Sequence, residues 1–555
     1  MAPTTRTFAE LVQERWGDHR PGLACEDRVL SHHQFAAGAA ARAALLADLL
    51  PRGVAPHVGV LLDNTPEFPQ WLAAAALAGA AVAGINPTRR GAELARDITH
   101  TECRVLVTER ARLPLLDGVR LPGVRVLVTD TGAYAELLAP YAGAEPVIAA
   151  GAGPASRLLL YFTSGSTGAP KAAICTQGRL AAAGRSLAAT FGVRADDVHY
   201  ICMPLFHGNA VIADWAPAMA AGAGVALARR FSASRFLADV RRYRATYFTY
   251  VGRAVQYILA TGERPDDRDN PLRAGFGTEA GAVDAARFEE RFGVRLVEGY
   301  GSSEGGAAVQ RSGDTPPGAI GRPAPGDDLA VLAPRTRAEC PPARFDAGGR
   351  LVNGGAAIGE LVNRGRSAFE GYWHNDAAYA ERVRDHGWYW TGDLFYRDAA
   401  GFLYFAGRGD DKIRVDGENL APAMIENILA RWPGAAAVAV YGVPDPVSGD
   451  QVMATVALRA GAGFDPAAFA EFLRGQDDLG TKMAPRFVRV VERMPVTATN
   501  KVRRGELRRA GFWSGGEVWW RPAGEATYRL LTPDAYEALA GVYRTHGRAA
   551  LLPAP

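Results

Sequence analysis

Cysteine is scarce in this chain of 555 residues, and the few cysteines form no recognisable framework. There are five, an odd number, and none of them belongs to a CxxC pair or a Cys/His cluster. This pattern excludes a disulfide scaffold and gives no sign of a zinc site. We expect small, buried core side chains at all of them. They are Cys25, Cys103, Cys175, Cys202 and Cys340.

Long apolar runs and a charge excess of one sign are also missing. The longest apolar stretch, residues 71–85, is Ala-rich and shorter than the roughly 20 residues that span a bilayer. The opening MAPTTRTFAELVQERW lacks the apolar run of a signal peptide and predicts a capped amphipathic helix. The formal net charge is only +3, which disfavours nucleic-acid binding. We therefore expect a cytoplasmic protein with no transmembrane segment, acting on a small molecule.

Apolar runs that alternate with helix-length stretches indicate the fold class. VGVLL, RVLVTE and VHYICMP predict strands, and PQWLAAAALAGA predicts a helix. This rhythm predicts an α/β fold whose large N-terminal body has mostly parallel sheets with flanking helices. The β-rich stretches near residues 350–363 and 396–407 depart from the rhythm and predict a small barrel-like portion.

The length exceeds what one hydrophobic core serves, so at least two domains are expected. The Gly-rich, charged segment GRGDDKIRVDG at 407–417 indicates a boundary. We predict a large N-terminal domain at 1–409, a smaller mobile α+β lid at 410–510 and an extension at 511–555. The extension is predicted to pack on the body because it is rich in aromatic residues, among them Trp513, Trp519, Trp520 and Tyr528.

The strongest chemical signal is LLLYFTSGSTGAPKAA at 158–173, an apolar strand that runs into a loop of hydroxyls and glycines. Glycines let the backbone approach a phosphate closely, hydroxyls and N–H groups donate to its oxygens, and a lysine adds positive charge. The loop differs from the GxxxxGK[ST] pattern because its lysine follows a proline. The predicted phosphate-binding residues are Thr163, Ser164, Gly165, Ser166, Thr167, Gly168 and Lys171.

TSGSTGAPK resembles the signature of the adenylate-forming superfamily, which includes acyl-CoA synthetases, peptide-synthetase adenylation domains and luciferases. The superfamily's Tyr-Gly-x-Thr-Glu box is matched further along the chain by EGYGSSEGG. By this resemblance Tyr300 stacks on the adenine, Gly301 belongs to the cofactor-binding residues, and Ser303, in place of the usual Thr, contacts a phosphate or the substrate carboxylate. Glu304 is implied to help hold Mg²⁺, a cation that prefers oxygen ligands.

Two further boxes match the same superfamily. WYWTGDLFYRDAAGFLYFAGRGDDKIRVDGENLAPAMIE at 388–426 resembles its ribose-binding and hinge region. The resemblance implies that the Asp393 carboxylate accepts from both ribose hydroxyls, that Arg408 assists and that Asp410 is the hinge. MPVTATNKVRRGELRR at 494–509 resembles the C-terminal box that carries the catalytic lysine, here Lys501.

Weaker matches concern the acid pocket and the adenine. PLFHGNA at 204–210 resembles a motif whose histidine, His207, lies beside the acid, with Asn209 close by. GFGTEAG resembles the loop that borders adenine, which would place Thr278 and Glu279 there. Residues 229–259 resemble the fatty acid transport protein or very-long-chain acyl-CoA synthetase branch. Arg253 stands where that branch usually has Glu, and it would give the pocket a cation if it points inward.

The resemblance implies a cytoplasmic enzyme that uses ATP and Mg²⁺ to convert an acid into an acyl-adenylate, releasing pyrophosphate. We favour coenzyme A as the acceptor. One alternative is a diazotase of secondary metabolism that activates nitrite and transfers it to an amine, which a polar pocket would suit. A second alternative is a non-catalytic carrier, which the intact set of site residues disfavours. The sequence leaves the identity of the acid open, and also the oligomeric state, for which a homodimer is one option.

Overall fold

Strands and helices follow the residue types of the chain. The structure, a computed structural model, describes residues 6–50, 53–162, 171–280, 282–302, 304–349, 351–408, 413–415, 418–447, 449–480, 482–497, 501–514 and 516–552. Runs rich in Val, Ile and Tyr form strands, and Ala-rich runs form helices. The N-terminal body reaches residue 408, and the C-terminal portion begins at residue 413.

The elements of the body are α1 (Phe8–Gln13), β1 (Pro21–Cys25), β2 (Arg28–Ser31), α2 (His32–Leu49), β3 (His57–Leu61), α3 (Glu67–Ala78), β4 (Ala81–Gly84), α4 (Gly91–His100), β5 (Val105–Thr108), β6 (Arg125–Val128), α5 (Gly132–Leu138), β7 (Arg157–Phe162), β8 (Ala172–Thr176), α6 (Gln177–Phe191), β9 (Val198–Ile201), α7 (Ala216–Ala221), β10 (Gly224–Leu227), α8 (Phe236–Tyr243), β11 (Tyr247–Val251), α9 (Gly252–Leu259), β12 (Ala274–Thr278), α10 (Ala282–Phe292), β13 (Leu296–Tyr300), β14 (Val309–Gln310), β15 (Leu329–Leu332), α11 (Gly354–Ala357), β16 (Gly359–Asn363), α12 (Asp376–Arg382), β17 (Val383–Arg384), β18 (Trp388–Arg397) and β19 (Leu403–Arg408). A π-helix (Asn209–Trp215) precedes α7, and short 3₁₀ helices lie at Arg110–Leu116 and Ala139–Tyr141.

Two largely parallel sheets form the body. One has the order β14-β13-β12-β11-β9-β10-β1-β2, and the other has the order β6-β5-β3-β4-β7-β8. Antiparallel pairs occur at their edges, between β1 and β2, β13 and β14, and β7 and β8. Helix α3 lies in the main core and is buried on every side, with Trp71 fully buried. The predicted α/β body is confirmed.

The departure from the α/β rhythm near residue 350 is an antiparallel sheet. It has the order β15-β16-β18-β17, and β19 pairs with β18. This is the small antiparallel or barrel-like portion that the sequence predicts. It brings the long strand β18 to the edge of the body where the parallel strands end.

The elements of the C-terminal portion are β20 (Ile413–Val415), β21 (Glu418–Leu420), α13 (Pro422–Leu429), β22 (Ala435–Pro444), β23 (Asp450–Leu458), α14 (Pro466–Arg474), β24 (Phe487–Val491), α15 (Arg504–Ala510), β25 (Glu517–Trp520), β26 (Arg529–Leu530), α16 (Pro533–Thr545) and a 3₁₀ helix at Ala549–Leu551. Its sheet has the order β22-β23-β24-β25-β26. Apolar clusters lie on both faces of this sheet, so the portion has a core of its own.

The C-terminal extension does not pack where the sequence analysis places it. Instead of covering the body, β25 pairs antiparallel with β24, with Trp520 opposite Phe487. Phe512 stacks on Phe487 with ring centroids 4.2 Å apart. The physical reason is that β24 would otherwise present unpaired backbone groups at a sheet edge. The extension therefore completes the C-terminal sheet, and the prediction of packing on the body is wrong.

Two minor expectations are confirmed. Thr7 caps α1 in a capping box with Glu10, and the apolar side of this helix is buried. All five cysteines are free and buried. Within the described part of the chain, no helix is both long and apolar enough to cross a bilayer.

Candidate active site

The carboxyl ends of parallel strands from both large sheets open onto one cleft. Strand β11 ends at Val251, β12 at Thr278 and β13 at Tyr300, and all three residues line it. Ligands of open α/β sheets bind outside the carboxyl ends of the strands. The cleft has a volume of about 2570 Å³, and Lys501 from the C-terminal portion also lines it. The structure therefore gathers the second, third and fourth sequence boxes around one space.

His207 and Asn209 lie on the cleft wall between β9 and the π-helix. The backbone N–H of Asn209 donates to His207 Nδ1 at 3.4 Å. Burial, and then the positive charge of Lys501, lower the pKa of His207 to about 4. The imidazole is therefore neutral at neutral pH, and it lies close enough to Lys501 for the lysine's charge to lower its pKa.

Tyr300 and Asp393 join the end of β13 to strand β18. The Tyr300 hydroxyl donates to Asp393 Oδ2 at 2.6 Å. Burial, and then the Asp393 carboxylate, raise the pKa of Tyr300 well above its ordinary value, so the phenol stays protonated and donates. Asp393 lies opposite Arg408 in the antiparallel register of β18 and β19. Gly301 follows Tyr300 on the cleft wall.

Thr278 and Glu279 continue β12 into the cleft. Glu279 has a φ of +66°, a left-handed conformation that is uncommon for a residue with a side chain. The neighbouring Gly252 permits this bend, because a Cβ there would lie 1.7 Å from the Glu279 carbonyl oxygen. The Glu279 carboxylate lies 3.8 Å from Lys501 Nζ. The strained turn thus brings an acidic side chain from the body to the lysine of the C-terminal portion.

The two predicted lysines reach the cleft from different portions of the chain, Lys171 from the body and Lys501 from the C-terminal portion. Lys501 lies at the end of a turn closed by the bridge between Val496 and Val502, and its N–H donates to Thr497 Oγ1 at 3.1 Å. Lys171 follows the predicted phosphate-binding loop, and its Nζ lies 2.9 Å from Glu381. Both lysines line the cleft, so two positive charges face the space that a triphosphate would need.

Glu304 is buried at the cleft wall and held by hydrogen bonds. Its two carboxylate oxygens accept from the hydroxyls of Tyr372 and Tyr389, and the Arg382 Nε lies 3.9 Å away. Burial, and then the Glu304 charge, raise the pKa of both tyrosines above the ordinary phenol value. Gly306 is required here, because a Cβ would lie 2.0 Å from the Tyr389 ring. The carboxylate therefore has a fixed orientation.

Among the described residues no group of three or more His, Cys, Asp or Glu side chains is placed to hold a metal ion. Mg²⁺ bound with a nucleotide does not need such a group, because it keeps several waters and takes one or two carboxylates plus phosphate oxygens. Glu304 could supply one of those carboxylates, since each of its oxygens keeps a lone pair beyond the tyrosine bond. The donor set therefore fits a Mg²⁺ carried in by ATP.

The three residues that hold Glu304 were not singled out by the sequence analysis. Tyr389 lies inside the box WYWTGD, from which only the aspartate was assigned, and Arg382 ends α12 in a segment without a motif. A tyrosine four residues before the assigned aspartate was the available signal. Its contact with Glu304 depends on how β18 is paired, which the sequence does not give.

Several predicted residues lie outside the described part of the chain. They are Thr163, Ser164, Gly165, Ser166, Thr167, Gly168, Ser303 and the hinge residue Asp410. Arg408 is described as the last residue of β19, by its backbone only. Their roles remain predictions.

Arg253 departs from the sequence expectation, because it is absent from the residues that line the cleft. Its Nη1 donates to Gln256 Oε1 at 2.7 Å, and Gln256 Nε2 donates to Asp284 Oδ2 at 3.0 Å. The guanidinium lies over the Tyr257 ring at 5.5 Å. Because α9 begins at Gly252, its first turn directs this buried side chain along the helix and toward α10. The predicted cation of the acid pocket is thus an internal structural group.

We expect Arg253→Ala to lower the free energy of unfolding by about 1–3 kcal/mol, because a buried hydrogen bond and its packing are lost. The KM for the acid should not change. Urea unfolding and steady-state kinetics measure the two effects. A raised KM for the acid with unaltered stability would show that Arg253 contacts the acid after all.

Comparison with known families identifies the class. Residues 10–373 match the AMP-binding enzyme family, and residues 424–501 match the AMP-binding enzyme C-terminal domain. The chain belongs to this family of adenylate-forming enzymes, as the resemblance predicts. It is an adenylate-forming acid:CoA ligase, which uses ATP to form an acyl-adenylate and transfers the acyl group to coenzyme A.

Two relatives match over nearly the whole chain. The steroid-22-oyl-CoA synthetase of Rhodococcus jostii (strain RHA1) is 50% identical over 547 residues, 98% of each chain. A medium/long-chain-fatty-acid–CoA ligase of Mycobacterium marinum (strain ATCC BAA-535 / M) is 46% identical over 499 residues, 90% of this chain and 95% of the relative. Nothing in the comparisons supports the nitrite-activating diazotase or a place in secondary metabolism.

The fold is also that of solved adenylate-forming enzymes. The anthranilate CoA ligase AuaEII, solved with anthranoyl-AMP, has a TM-score of 0.81 and 23% identity, covering 92% of this chain and 98% of that one. At this identity the likeness concerns the fold alone.

Proposed function

We propose that this ligase activates a bulky apolar acid of the steroid side-chain type, in which a carboxylate is carried on a polycyclic body. The 50% identity to a steroid-22-oyl-CoA synthetase over 98% of both chains supports this assignment. A medium- or long-chain fatty acid is the second candidate, supported by the 46% identical relative. Both candidates are large apolar acids, and they differ in width.

The observation that carries the proposal is the wall of the cleft beside His207. Helix α6 packs against the π-helix. Both present small or aliphatic side chains to the cleft, among them Ala182, Ala183, Ile212 and Ala213. The polar residues of the same helices that line it are Arg179, Ser186, Thr190 and Asn209. Such a wall favours an apolar ligand and leaves room for a wide one. Arg253, the cation that would have suited a small polar acid, points elsewhere.

In the proposed first step the acid's carboxylate oxygen attacks the α-phosphorus of ATP, and pyrophosphate leaves. Lys501 lines the same cleft as His207, which we assign to the acid side, and as Tyr300 and Asp393, which we assign to the nucleotide side. Its ammonium stabilises the charge that builds on the transferring phosphoryl oxygens. The Asp393 carboxylate, oriented by Tyr300, accepts from the ribose hydroxyls. Glu304 would help to hold Mg²⁺, which would supply positive charge against the phosphate oxygens.

In the second step the thiol sulfur of coenzyme A attacks the acyl carbon, its proton is lost and AMP leaves. We propose that the C-terminal portion is a lid that rotates about Asp410 between the two steps. Two observations support this proposal. The C-terminal portion has a sheet and a core of its own, and its Lys501 lies close to Glu279 of the body. The lid then runs through α16 rather than ending at residue 510.

The test of the proposed function is pyrophosphate release with ATP, Mg²⁺ and a panel of acids, with and without coenzyme A. The panel contains a steroid C22 acid, a straight-chain acid of similar carbon number, benzoate and nitrite. We expect kcat/KM to be highest for the steroid acid, and an acyl-CoA product to appear only with coenzyme A. A preference for benzoate or nitrite would refute the assignment.

We expect Ala182→Phe to lower kcat/KM for the steroid acid by about 100-fold, because the added ring occupies the space of a wide ligand. A straight-chain acid should lose less. Ala189→Phe is the matched control, since Ala189 lies on the same helix in a shallow depression outside the cleft. If both variants lose activity equally, the α6 wall does not contact the acid.

A further inference from the structure

The π-helix that forms part of the acid wall is followed by a proline in an unusual place. Pro217 lies in the first turn of α7, directly after the π-helix. A proline has no N–H to donate to the carbonyl four residues earlier, and its ring pushes that carbonyl away. The Ala213 carbonyl must therefore find another donor, and the carboxylate of the neighbouring Asp214 needs donors because it is buried.

Strands β9 and β11 supply those donors from the buried side. The Tyr247 hydroxyl donates to the Ala213 carbonyl at 3.1 Å. His199 Nδ1 lies 3.0 Å from the Asp214 carbonyl oxygen and 2.9 Å from its Oδ1. Because both neighbours are acceptors, Nδ1 carries the hydrogen. Asp214 Oδ2 accepts from the Thr249 N–H at 3.2 Å and from the Thr249 hydroxyl at 2.9 Å.

This network is sealed from solvent. His199, Asp214 and Thr249 each have 0% exposure. A buried carboxylate is tolerated only when donors surround it, and removing one donor leaves charge without compensation. The hydrogen bonds that the Asp214 carboxylate accepts here come from donors on β9 and β11. Because these bonds tie the π-helix to the sheet, they fix the position of the helix within narrow limits.

Other residues of the same helix face the cleft. The residues that line the cleft are Asn209, Ile212 and Ala213, and Ala213 directly precedes Asp214 in the sequence. We propose that His199, Asp214 and Thr249, which we term the wall anchor, are positioning residues that set the width of the acid pocket. This inference rests on the proposed function insofar as the acid lies against the π-helix.

The wall anchor has a consequence that a general contribution to stability does not have. If the wall anchor fixes the position of the π-helix, weakening the anchor should change the KM of an acid that fills the pocket. It should not change the fit of ATP, which lies toward Tyr300 and Asp393. An anchor that merely stabilised the fold would lower all activities in proportion to the loss of folded enzyme.

The experiment compares Thr249→Val and Asp214→Asn with the wild-type enzyme in full-length form. Thr249→Val removes the hydroxyl donor and keeps the shape of the side chain, whereas Asp214→Asn replaces one acceptor oxygen by a donor group. We expect the KM of the best bulky acid to rise about tenfold, as for a small displacement of a binding wall. The KM for ATP and kcat/KM for a compact acid such as propionate should stay unchanged.

Two further variants keep the test decisive. Asp267→Asn is the matched control, because Asp267 is a buried carboxylate that pairs with Arg291 at 2.6 Å and is absent from the cleft lining. It should lower the melting temperature without changing the acid KM. Thr249→Ser keeps the hydroxyl, so its KM for the bulky acid should equal that of the wild type. This comparison with Thr249→Val stands even if Asp214→Asn fails to fold.

An unchanged acid KM in Thr249→Val would overturn the wall anchor, as would a proportional loss for the bulky acid, the compact acid and ATP. Failure of the proposed function is seen separately, in the wild-type enzyme, as absence of turnover with steroid and fatty acids. The variants are then compared with whichever acid the wild type uses, so the two outcomes remain distinct.

Discussion

Lys501→Ala will lower the rate of acyl-adenylate formation by about 100- to 1,000-fold, the loss typical when one preorganised charge at a transition state is removed. It will leave the second step, thiol transfer from a supplied acyl-adenylate, largely intact. The reason is that negative charge builds on the phosphoryl oxygens only while the carboxylate attacks. An interaction that is stronger in the transition state than in the ground state appears in kcat.

The surroundings of Lys501 support this division of labour. Its Nζ lies 3.8 Å from a carboxylate oxygen of Glu279, and its side chain is 39% exposed, so the ion pair is weak and open to ligand. The charge of Lys501 also reaches His207, whose pKa it helps to lower. An incoming triphosphate can therefore replace Glu279 as the ion-pair partner of Lys501 with little loss of free energy.

Single-turnover measurements of pyrophosphate release and of thioester formation from synthetic acyl-adenylate separate the two steps. Arg493→Ala is a suitable control, because this cation belongs to the same C-terminal portion and its side chain is 85% exposed. It should leave both steps unchanged. Equal losses in the two steps of Lys501→Ala would contradict the proposed role.

The sequence predicts the body well because its local signals agree with the global fold. The apolar runs at VGVLL and VHYICMP are β3 and β9, and the Ala-rich run between β3 and β4 is α3. Each of these elements is buried on all sides, so its apolar run is nearly continuous and easy to read. The cleft then follows from topology, since residues after parallel strands meet at one edge.

Side-chain direction at the site is harder to predict. Arg253 lies two residues after the end of β11, as a pocket residue would, yet the first turn of α9 directs it toward Gln256. The tyrosines at 372 and 389 meet at Glu304 although they lie on separate segments. The wall anchor joins the π-helix to side chains on two strands, and these contacts are visible only in the folded structure. Long-range contacts of this kind leave no periodic trace in one sequence.

Glu304→Gln is expected to lower adenylate formation by about 100-fold and to raise the Mg²⁺ concentration needed for half-maximal activity. The amide keeps the shape of the side chain but loses the negative charge that a hard cation prefers. It also places a donor NH₂ against one of the two tyrosine hydroxyls, Tyr372 or Tyr389, which now donate to the carboxylate. The titration of activity with Mg²⁺ at saturating ATP measures the shift.

Tyr372→Phe tests whether the hydrogen bonds orient Glu304 for the metal. It removes one donor and leaves the carboxylate charged, so we expect a smaller rise in the Mg²⁺ requirement, of about tenfold, as for other groups that orient a metal ligand. Tyr379→Phe is the matched control, because Tyr379 stacks on Phe369 nearby and is 41% exposed. If Glu304→Gln left the Mg²⁺ dependence unaltered while activity fell, Glu304 would act on the fold of the cleft and not on the cation. If Tyr372→Phe shifted the Mg²⁺ dependence and Tyr379→Phe did not, the buried tyrosine would be assigned to the metal site through the carboxylate it holds.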